Sequence, residues 1–185
     1  MMDMETVRKN VLAISGSTRK KSTNTYVIEW IKQLAHDQFE IEFFSQLDSL
    51  PHFNPDLDDE NVPDLVAELR SKIDQADGVI ICTPEYVFSL PGALKNALEW
   101  TVSTTVFSDK PVALITASGL GEKASEQLSL IMSTLGAHFD QQTQLLIQSA
   151  RSKVDADSID PSTRQHLAEL INAFNDKITP KRPTF

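Results

Sequence analysis

The sequence predicts an α/β fold in which a parallel β-sheet is covered by helices on both faces, a three-layer sandwich. Two observations predict it. Short runs of β-branched and other apolar residues alternate with longer segments of helical periodicity, and most of the short runs are apolar throughout. Strands that are apolar on both faces belong inside a parallel sheet. With 185 residues the chain can bury a core of its own, and we expect residues 1–185 to form a single domain.

Five segments are predicted as strands. The four that are apolar throughout are Val11–Ile14, Val79–Cys82, Val112–Ile115 and Leu145–Ile147. In the second strand along the chain, by contrast, Ile41, Phe43 and Phe44 lie among acidic residues, which is typical of an edge strand with one covered face. Placing that strand at the edge gives the flavodoxin-like strand order 2-1-3-4-5.

Five helices are predicted between and after the strands, from apolar residues that recur at spacings of three and four. The residues that mark their ends are Ser22, Pro63, Pro91 and Asp160-Pro161, where helices begin, and Gly136, where the fourth one stops. Residues 45–62 contain two prolines and an acidic cluster, and we expect them to form a long loop.

The composition restricts the partners and the compartment. The net charge of −9, from 17 basic and 26 acidic side chains, disfavours nucleic acid as a partner. No apolar run approaches the ~20 residues needed to cross a bilayer. The one cysteine, Cys82, indicates a reducing compartment, and the charged residues 1–10 lack the apolar stretch of a signal peptide. We therefore expect a cytoplasmic protein.

The expected strand order also predicts where a ligand binds. In a sheet of this type the ligand lies beyond the carboxyl ends of strands one and three, where the direction of the chain connections reverses. The loops at these two places are Ser15–Asn24 and Thr83–Pro91.

The first loop has the side chains of a phosphate site. Ser17, Ser22, Thr23 and Asn24 can each donate to a phosphate oxygen, and Arg19 can add a charge-assisted contact at the start of a helix. The segment lacks both the Gly-Lys-Ser/Thr of a Walker A loop and the three glycines of a dinucleotide fingerprint, which favours a monophosphate such as FMN. The alternative is a helix capped by Ser22 with solvated lysines.

The second loop offers groups for a planar ring. Two prolines stiffen it, the backbone amides from Glu85 to Val87 are expected to be free to bind a ring edge, and Tyr86 and Phe88 add aromatic surface. The alternative is a rigid turn between strand and helix, with Trp100 in the core and Lys95 in solvent.

Three motifs resemble the NADPH-dependent FMN reductase family, a flavodoxin-like group that includes quinone, chromate and azo-dye reductases. Residues 16–24 resemble its FMN-phosphate loop, and residues 116–121 its third flavin-contacting loop. The second signature is matched by Pro84-Glu85-Tyr86, Pro91-Gly92, Leu94-Lys95-Asn96 and Trp100. The resemblance spans roughly residues 10–148. It departs from the family at Val87, where Asn is frequent, and at Glu122-Lys123, where the third loop often has Gly-x-Arg.

The resemblance implies a set of FMN contacts. Those to the phosphate would come from Ser17, Arg19, Ser22, Thr23 and Asn24. Those to the isoalloxazine would come from Pro84, Glu85, Tyr86 and Val87, with Ser118 and Gly119 closing its other edge. NADPH or NADH would supply electrons, and a quinone, flavin, azo compound or metal oxyanion would accept them. No catalytic residue and no metal ligand is implied. The family also implies a homodimer or homotetramer.

Two rival functions remain open from the sequence. One is an FMN-binding electron carrier or redox-sensing protein that does not turn over NAD(P)H. The other is an α/β domain that binds a different phosphorylated metabolite. We interpret Cys82 as a structural thiol and the acidic cluster as solvated. The apolar stripe of the last helix either completes the core or forms a subunit contact.

Overall fold

The computed structural model describes residues 8–59 and 61–178, so residues 1–7, residues 179–185 and Glu60 of the acidic cluster lie outside it. Its sheet has five parallel strands: β1 (Lys9–Ser15), β2 (Phe39–Phe44), β3 (Gly78–Thr83), β4 (Val112–Ala117) and β5 (Gln144–Ile147). Their order across the sheet is β2-β1-β3-β4-β5. The predicted order is therefore confirmed.

The helices connect the strands as expected. They are α1 (Thr23–Leu34), α2 (Asp64–Gln75), α3 (Gly92–Glu99), α4 (Glu122–Thr134), α5 (Ala150–Lys153) and α6 (Pro161–Lys177). Five of them were predicted, whereas the single-turn helix α5 was not, because four polar and small residues carry no helical periodicity. Within the described ranges, no helix is long and apolar enough to span a membrane.

Burial agrees with the predictions for β2, β3 and β4 but not for β5. That strand is predicted as buried from its apolar run, whereas it forms the other edge of the sheet and three of its four residues are only half-buried. Every residue of β3 and β4 is buried, which their apolar sequences require. At the edge, β2 alternates: Phe39 and Ile41 are buried and Glu40 and Glu42 are exposed. The edge position inferred from the acidic residues is thus correct.

Two separate apolar clusters cover the two faces of the sheet. Helices α2, α3 and α4 pack on one face, against residues such as Leu12 and Ile81. Helices α1 and α6 pack on the other, against residues such as Ala13 and Ile80. Neighbouring residues of one strand point to opposite faces, so each continuous apolar run fills both clusters.

The long loop at 45–62 is ordered by a side chain of α3 and by Trp100, the residue that follows this helix. Asn96 accepts from the Phe53 N–H at 2.7 Å and donates to the Pro51 carbonyl at 2.9 Å. The Trp100 indole, which is fully buried, donates to the same carbonyl at 2.8 Å. Asn96 and Trp100 of the second signature therefore hold this loop, and the core position considered for Trp100 is correct.

Candidate functional site

A cleft of about 430 Å³ lies beyond the carboxyl ends of β1, β3 and β4, at the predicted switch point. Ten of the eleven residues expected to contact the cofactor line it; the exception is Val87. The ten are Ser17, Arg19, Ser22, Thr23, Asn24, Pro84, Glu85, Tyr86, Ser118 and Gly119. Residues that are up to 102 positions apart in the chain thus share one cleft.

The first loop ends in a capped helix with free donors. Ser22 is the N-cap of α1, and its hydroxyl accepts from the Thr25 N–H at 3.1 Å. The N–H groups of Thr23 and Asn24 lie in the first helical turn, where no intrahelical acceptor exists. They lie at the positive end of the helix dipole, which favours the binding of an anion. The capping role of Ser22 and a phosphate site are therefore compatible.

The loop can pass closely over β3 because it contains a glycine. The Gly16 N–H donates to the Cys82 carbonyl at 2.8 Å. A Cβ atom at Gly16 would lie 2.5 Å from Thr83 Oγ1 and 3.0 Å from Leu94 Cδ2. Only glycine fits this crossing, which brings the two loops together.

Asn24 has a structural role that the sequence did not indicate. The residue is 3% exposed; its amide nitrogen donates to the Ala117 carbonyl at 3.3 Å, and its amide oxygen accepts from the Cys82 thiol at 3.3 Å. Burial raises the pKa of Cys82, so the thiol keeps the proton that it donates. The NH₂ group has a second N–H, so the expected phosphate contact from the Asn24 side chain stays a prediction. Its backbone N–H remains available.

The second loop is fastened to the start of α4 by Glu85. The Glu85 carboxylate accepts from the Gly121 N–H at 3.3 Å and from the Ala124 N–H at 3.0 Å. Glu85 therefore caps a helix that begins more than thirty residues later in the chain. The Glu85 N–H donates to Ser118 Oγ at 3.2 Å, which joins the loops after β3 and β4.

The tip of the second loop is a tight turn in an unfavourable conformation. Tyr86 and Ser89 exchange two backbone hydrogen bonds, of 2.9 and 3.0 Å. The two central residues, Val87 and Phe88, have φ angles of 53° and 54°. Such turns favour Asn-Gly, because a β-branched or bulky side chain with positive φ is strained. Strain of this kind costs about 1–3 kcal/mol per residue, and surrounding contacts must maintain it.

This geometry corrects the expectation that the amides from Glu85 to Val87 are free. The Glu85 and Tyr86 N–H groups are engaged by Ser118 and Ser89. Within the described residues, only the Val87 N–H of these three has no acceptor in the protein. The Val87 side chain is 96% exposed and lies outside the lining of the cleft. The expected contact between Val87 and the ring stays a prediction, with its N–H as the available donor.

The segment after β5, residues 149–152, also lines the cleft, although no motif in the sequence indicated it. The Ser149 N–H donates to the Gly119 carbonyl at 2.9 Å, and the Ala150 N–H donates to the Ser118 carbonyl at 2.9 Å. Arg151 adds a second cation beside Arg19. Sheet topology could have pointed to this segment, because β5 ends at the same edge of the sheet as β4.

These donors fit a phosphorylated ring cofactor. Arg19, Arg151 and the free N–H groups of α1 supply positive potential in an otherwise acidic protein. Of the described residues that line the cleft, Glu85 is the one acidic side chain, and its carboxylate is engaged by the N-terminus of α4. Pro84 and Tyr86 add apolar surface to the lining. Fold and cleft together define a flavodoxin-like domain of the FMN-binding class.

Comparisons with known proteins place the chain within that class. The family model for NADPH-dependent FMN reductase matches residues 9–152, and the chain belongs to this family. The quinone reductase of Escherichia coli is 32% identical over 177 residues, which cover 91% of this chain and 94% of that protein. The expectation of a flavoprotein oxidoreductase that uses FMN and a nicotinamide donor is confirmed.

Two further relatives agree with this assignment. The CrdA subunit of the NADH:(hydroxy)cinnamate reductase of Vibrio ruber is 42% identical over 110 residues, which cover 59% of this chain and 54% of that protein. The solved structure of FerB, a flavoenzyme NAD(P)H:(acceptor) oxidoreductase from Paracoccus denitrificans, superposes with a TM-score of 0.75 at 27% identity. That match covers 92% of this chain and 97% of FerB.

Proposed function

We propose that this flavin oxidoreductase transfers electrons from NADPH or NADH, through FMN held in the cleft, to quinones and similar small oxidised acceptors. The observation that carries the proposal is the convergence of the segments after β1, β3, β4 and β5 on one cleft, whose lining combines two arginines and free helix N–H groups with the Tyr86 ring. The quinone reductase that matches almost the whole chain supports the choice of acceptor.

Different residues of the cleft would bind different parts of FMN. Arg19, Ser17, Ser22 and the N–H groups of Thr23 and Asn24 would hold the FMN phosphate. Pro84, Tyr86 and the Val87 N–H would border the ring, with Ser118 and Gly119 at its other edge. When bound, FMN supplies the chemistry by accepting hydride and passing electrons on.

The protein's own contribution is a fixed geometry. Glu85 ties the ring-binding loop to α4, and Asn24 ties the start of α1 to β3 and β4. Loops held in this way fix the ring and the N–H groups around it before the nicotinamide or the electron acceptor binds. No side chain needs to act as an acid or base. A loosely shaped acceptor site then favours a broad range of acceptors.

We also propose that residues 1–185 form one domain, that the enzyme is a homodimer or homotetramer, and that it works in the cytoplasm. The apolar side chains of Phe88 and Leu120, 66% and 60% exposed near the cleft, support a subunit contact. The single free cysteine supports a reducing compartment. Light scattering after size-exclusion chromatography tests the assembly, and a monomer at micromolar concentration would contradict it.

The function is tested by the visible spectrum of the purified protein, recorded without oxygen before and after NADPH or NADH is added. We expect flavin bands that bleach with a nicotinamide and return when 1,4-benzoquinone is added. Bands that do not bleach with either nicotinamide would favour an electron carrier. Absence of flavin bands after reconstitution with FMN would favour another phosphorylated ligand.

A further inference from the structure

The strained turn at residues 86–89 has one side-chain clamp that none of the cofactor motifs contains. Gln127, in the middle of α4, contacts the turn with both ends of its amide group. Its nitrogen donates to the Phe88 carbonyl at 3.1 Å, and its oxygen accepts from the Ser89 hydroxyl at 2.7 Å. Gln127 lies outside the residues that line the cleft.

The turn needs such a clamp because its own sequence disfavours it. Val87 and Phe88 both have positive φ, and their side chains are 96% and 66% exposed, so packing of these two side chains gives little support. Two backbone hydrogen bonds close the turn, but a short hairpin of this kind is only marginally stable alone. The Gln127 amide binds the second half of the turn, where the strained Phe88 carbonyl would otherwise face water.

What the clamp fixes is the wall of the cleft. Tyr86 opens the turn, lines the cleft and is 46% exposed. Glu85 is held by α4 on one side of Tyr86, and Phe88 and Ser89 are held by Gln127 on the other. The same helix therefore sets both ends of the segment that carries Tyr86.

We propose that Gln127 is a positioning residue that holds the left-handed turn at 86–89 and, through it, the Tyr86 ring at the cleft and the N–H of the neighbouring residue Val87. The inference rests on the proposed FMN site. Gln127 touches neither the cleft nor the phosphate loop. We therefore expect it to act through the position of Tyr86, and so to affect how the nicotinamide and the acceptor fit beside the ring.

The test combines Gln127→Ala with a turn that needs no clamp. The relaxed background is the pair Val87→Asn and Phe88→Gly, which gives the Asn-Gly sequence that this turn type favours. Gln127→Ala is made in the natural chain and in the relaxed background. The matched control is Gln165→Ala, because Gln165 is an exposed glutamine of α6 whose side chain bonds to Glu169 on the same helix.

The first readout is amide hydrogen exchange at Tyr86 and Ser89, whose N–H groups close the turn. In the natural chain, Gln127→Ala should accelerate exchange at both sites roughly tenfold or more, while Gln165→Ala leaves it unchanged. In the relaxed background, the same change should alter exchange by less than about twofold. Because this readout needs no turnover, it distinguishes failure of the clamp from failure of the proposed reductase function.

The second readout is steady-state reduction of 1,4-benzoquinone by NADPH with saturating FMN. In the natural chain, Gln127→Ala should lower kcat/KM by roughly 10- to 100-fold, the size of effect that misplacement by about 1 Å can produce. The loss should largely disappear in the relaxed background. Unchanged exchange and kinetics in Gln127→Ala would overturn the inference. An equal loss in both backgrounds would also overturn it, because Gln127 would then stabilise α4 rather than the turn.

Discussion

The two loops that form the main walls of the cleft are held in different ways. The first, residues 16–22, is shaped largely by neighbours: Ser15 with Ser17, Ser17 with Arg19, and Ser22 with Thr25 are two or three positions apart. The second, residues 84–91, is held by Ser118 and α4, whose contacting residues lie 33 to 39 positions further along the chain.

This difference separates two ways of building a binding site. A local loop places backbone N–H groups at a helix terminus, and such a terminus attracts anions wherever it occurs. A loop held from a distance can keep a conformation that its own residues disfavour, as Val87 and Phe88 do. The first strategy suits a phosphate, which makes few geometric demands, and the second suits a ring whose orientation decides reactivity.

The largest effect should come from Asn24→Asp, which breaks the hydrogen bond that ties the start of α1 to β4. The change replaces the NH₂ group that donates to the Ala117 carbonyl with a carboxylate oxygen in a buried position. We expect a loss of about 3 kcal/mol in the free energy of unfolding at neutral pH. Urea denaturation measures it.

The pH dependence of that loss provides a further check. Burial favours the neutral form of the introduced carboxyl and raises its pKa in the folded state. The destabilisation should therefore shrink as the pH falls and this group becomes protonated. Asn172→Asp, at an exposed site on α6, is the control with the same change in charge and should cost little. Equal losses for both variants would refute the anchor.

Arg19→Ala should weaken FMN binding by about 1.5–3 kcal/mol, or roughly 10- to 150-fold in Kd. The exposed Arg19 side chain lines the cleft, so its loss should remove a charge-assisted contact without changing the stability of the protein. Titration followed by FMN fluorescence measures the affinity. Lys20→Ala is the control, because Lys20 is a neighbouring exposed cation outside this cleft. An unchanged Kd for Arg19→Ala would show that Arg19 does not hold the phosphate.

Two helix caps allow a direct comparison of the loops. Ser22→Ala removes the local cap of α1 and should cost about 1 kcal/mol of stability. Glu85→Ala removes a charged cap that reaches α4 from a distance, and should cost about 2 kcal/mol, because two N–H groups and a favourable dipole interaction lose their partner. Thermal unfolding measures both losses of stability. The loss for Glu85→Gln should lie between those for Ser22→Ala and Glu85→Ala. A smaller loss for Glu85→Ala than for Ser22→Ala would reverse the comparison.

The smallest expected effect is a gain in stability. Val87→Asn should stabilise the protein by about 1 kcal/mol, because asparagine tolerates a φ of 53° better than a β-branched residue does. The same substitution at Val102, an exposed valine outside the positive-φ residues, is the control and should change little. The denaturation midpoints of the two variants measure these changes. If the two substitutions behave alike, the turn holds no strain that side-chain type can relieve.

Most of the fold was predictable because it rests on local patterns. Continuous apolar runs marked β1, β3, β4 and β5, the acids beside Ile41 marked the edge strand β2, and prolines and Ser22 marked helix starts. The cleft was also predictable, since strand order alone locates the switch point. Less predictable were groups whose partners lie far away in the chain. The Glu85 N–H, expected to be free, donates to Ser118 after β4, and the Asn24 side chain donates to Ala117 of β4, a contact that the sequence did not indicate.

By itself, the sequence determined the layers, the strand order and the chemistry of the cleft, because periodicity and residue type act over a few neighbouring positions. Only the tertiary structure decided which donors remain free, because a donor is free only when no distant group reaches it. It also decided that Glu85 caps α4, that Arg151 joins the cleft and that Gln127 clamps a strained turn. Each of these depends on how β3, β4 and β5 lie side by side. Their ends are many residues apart in the chain but only a few ångströms apart in space.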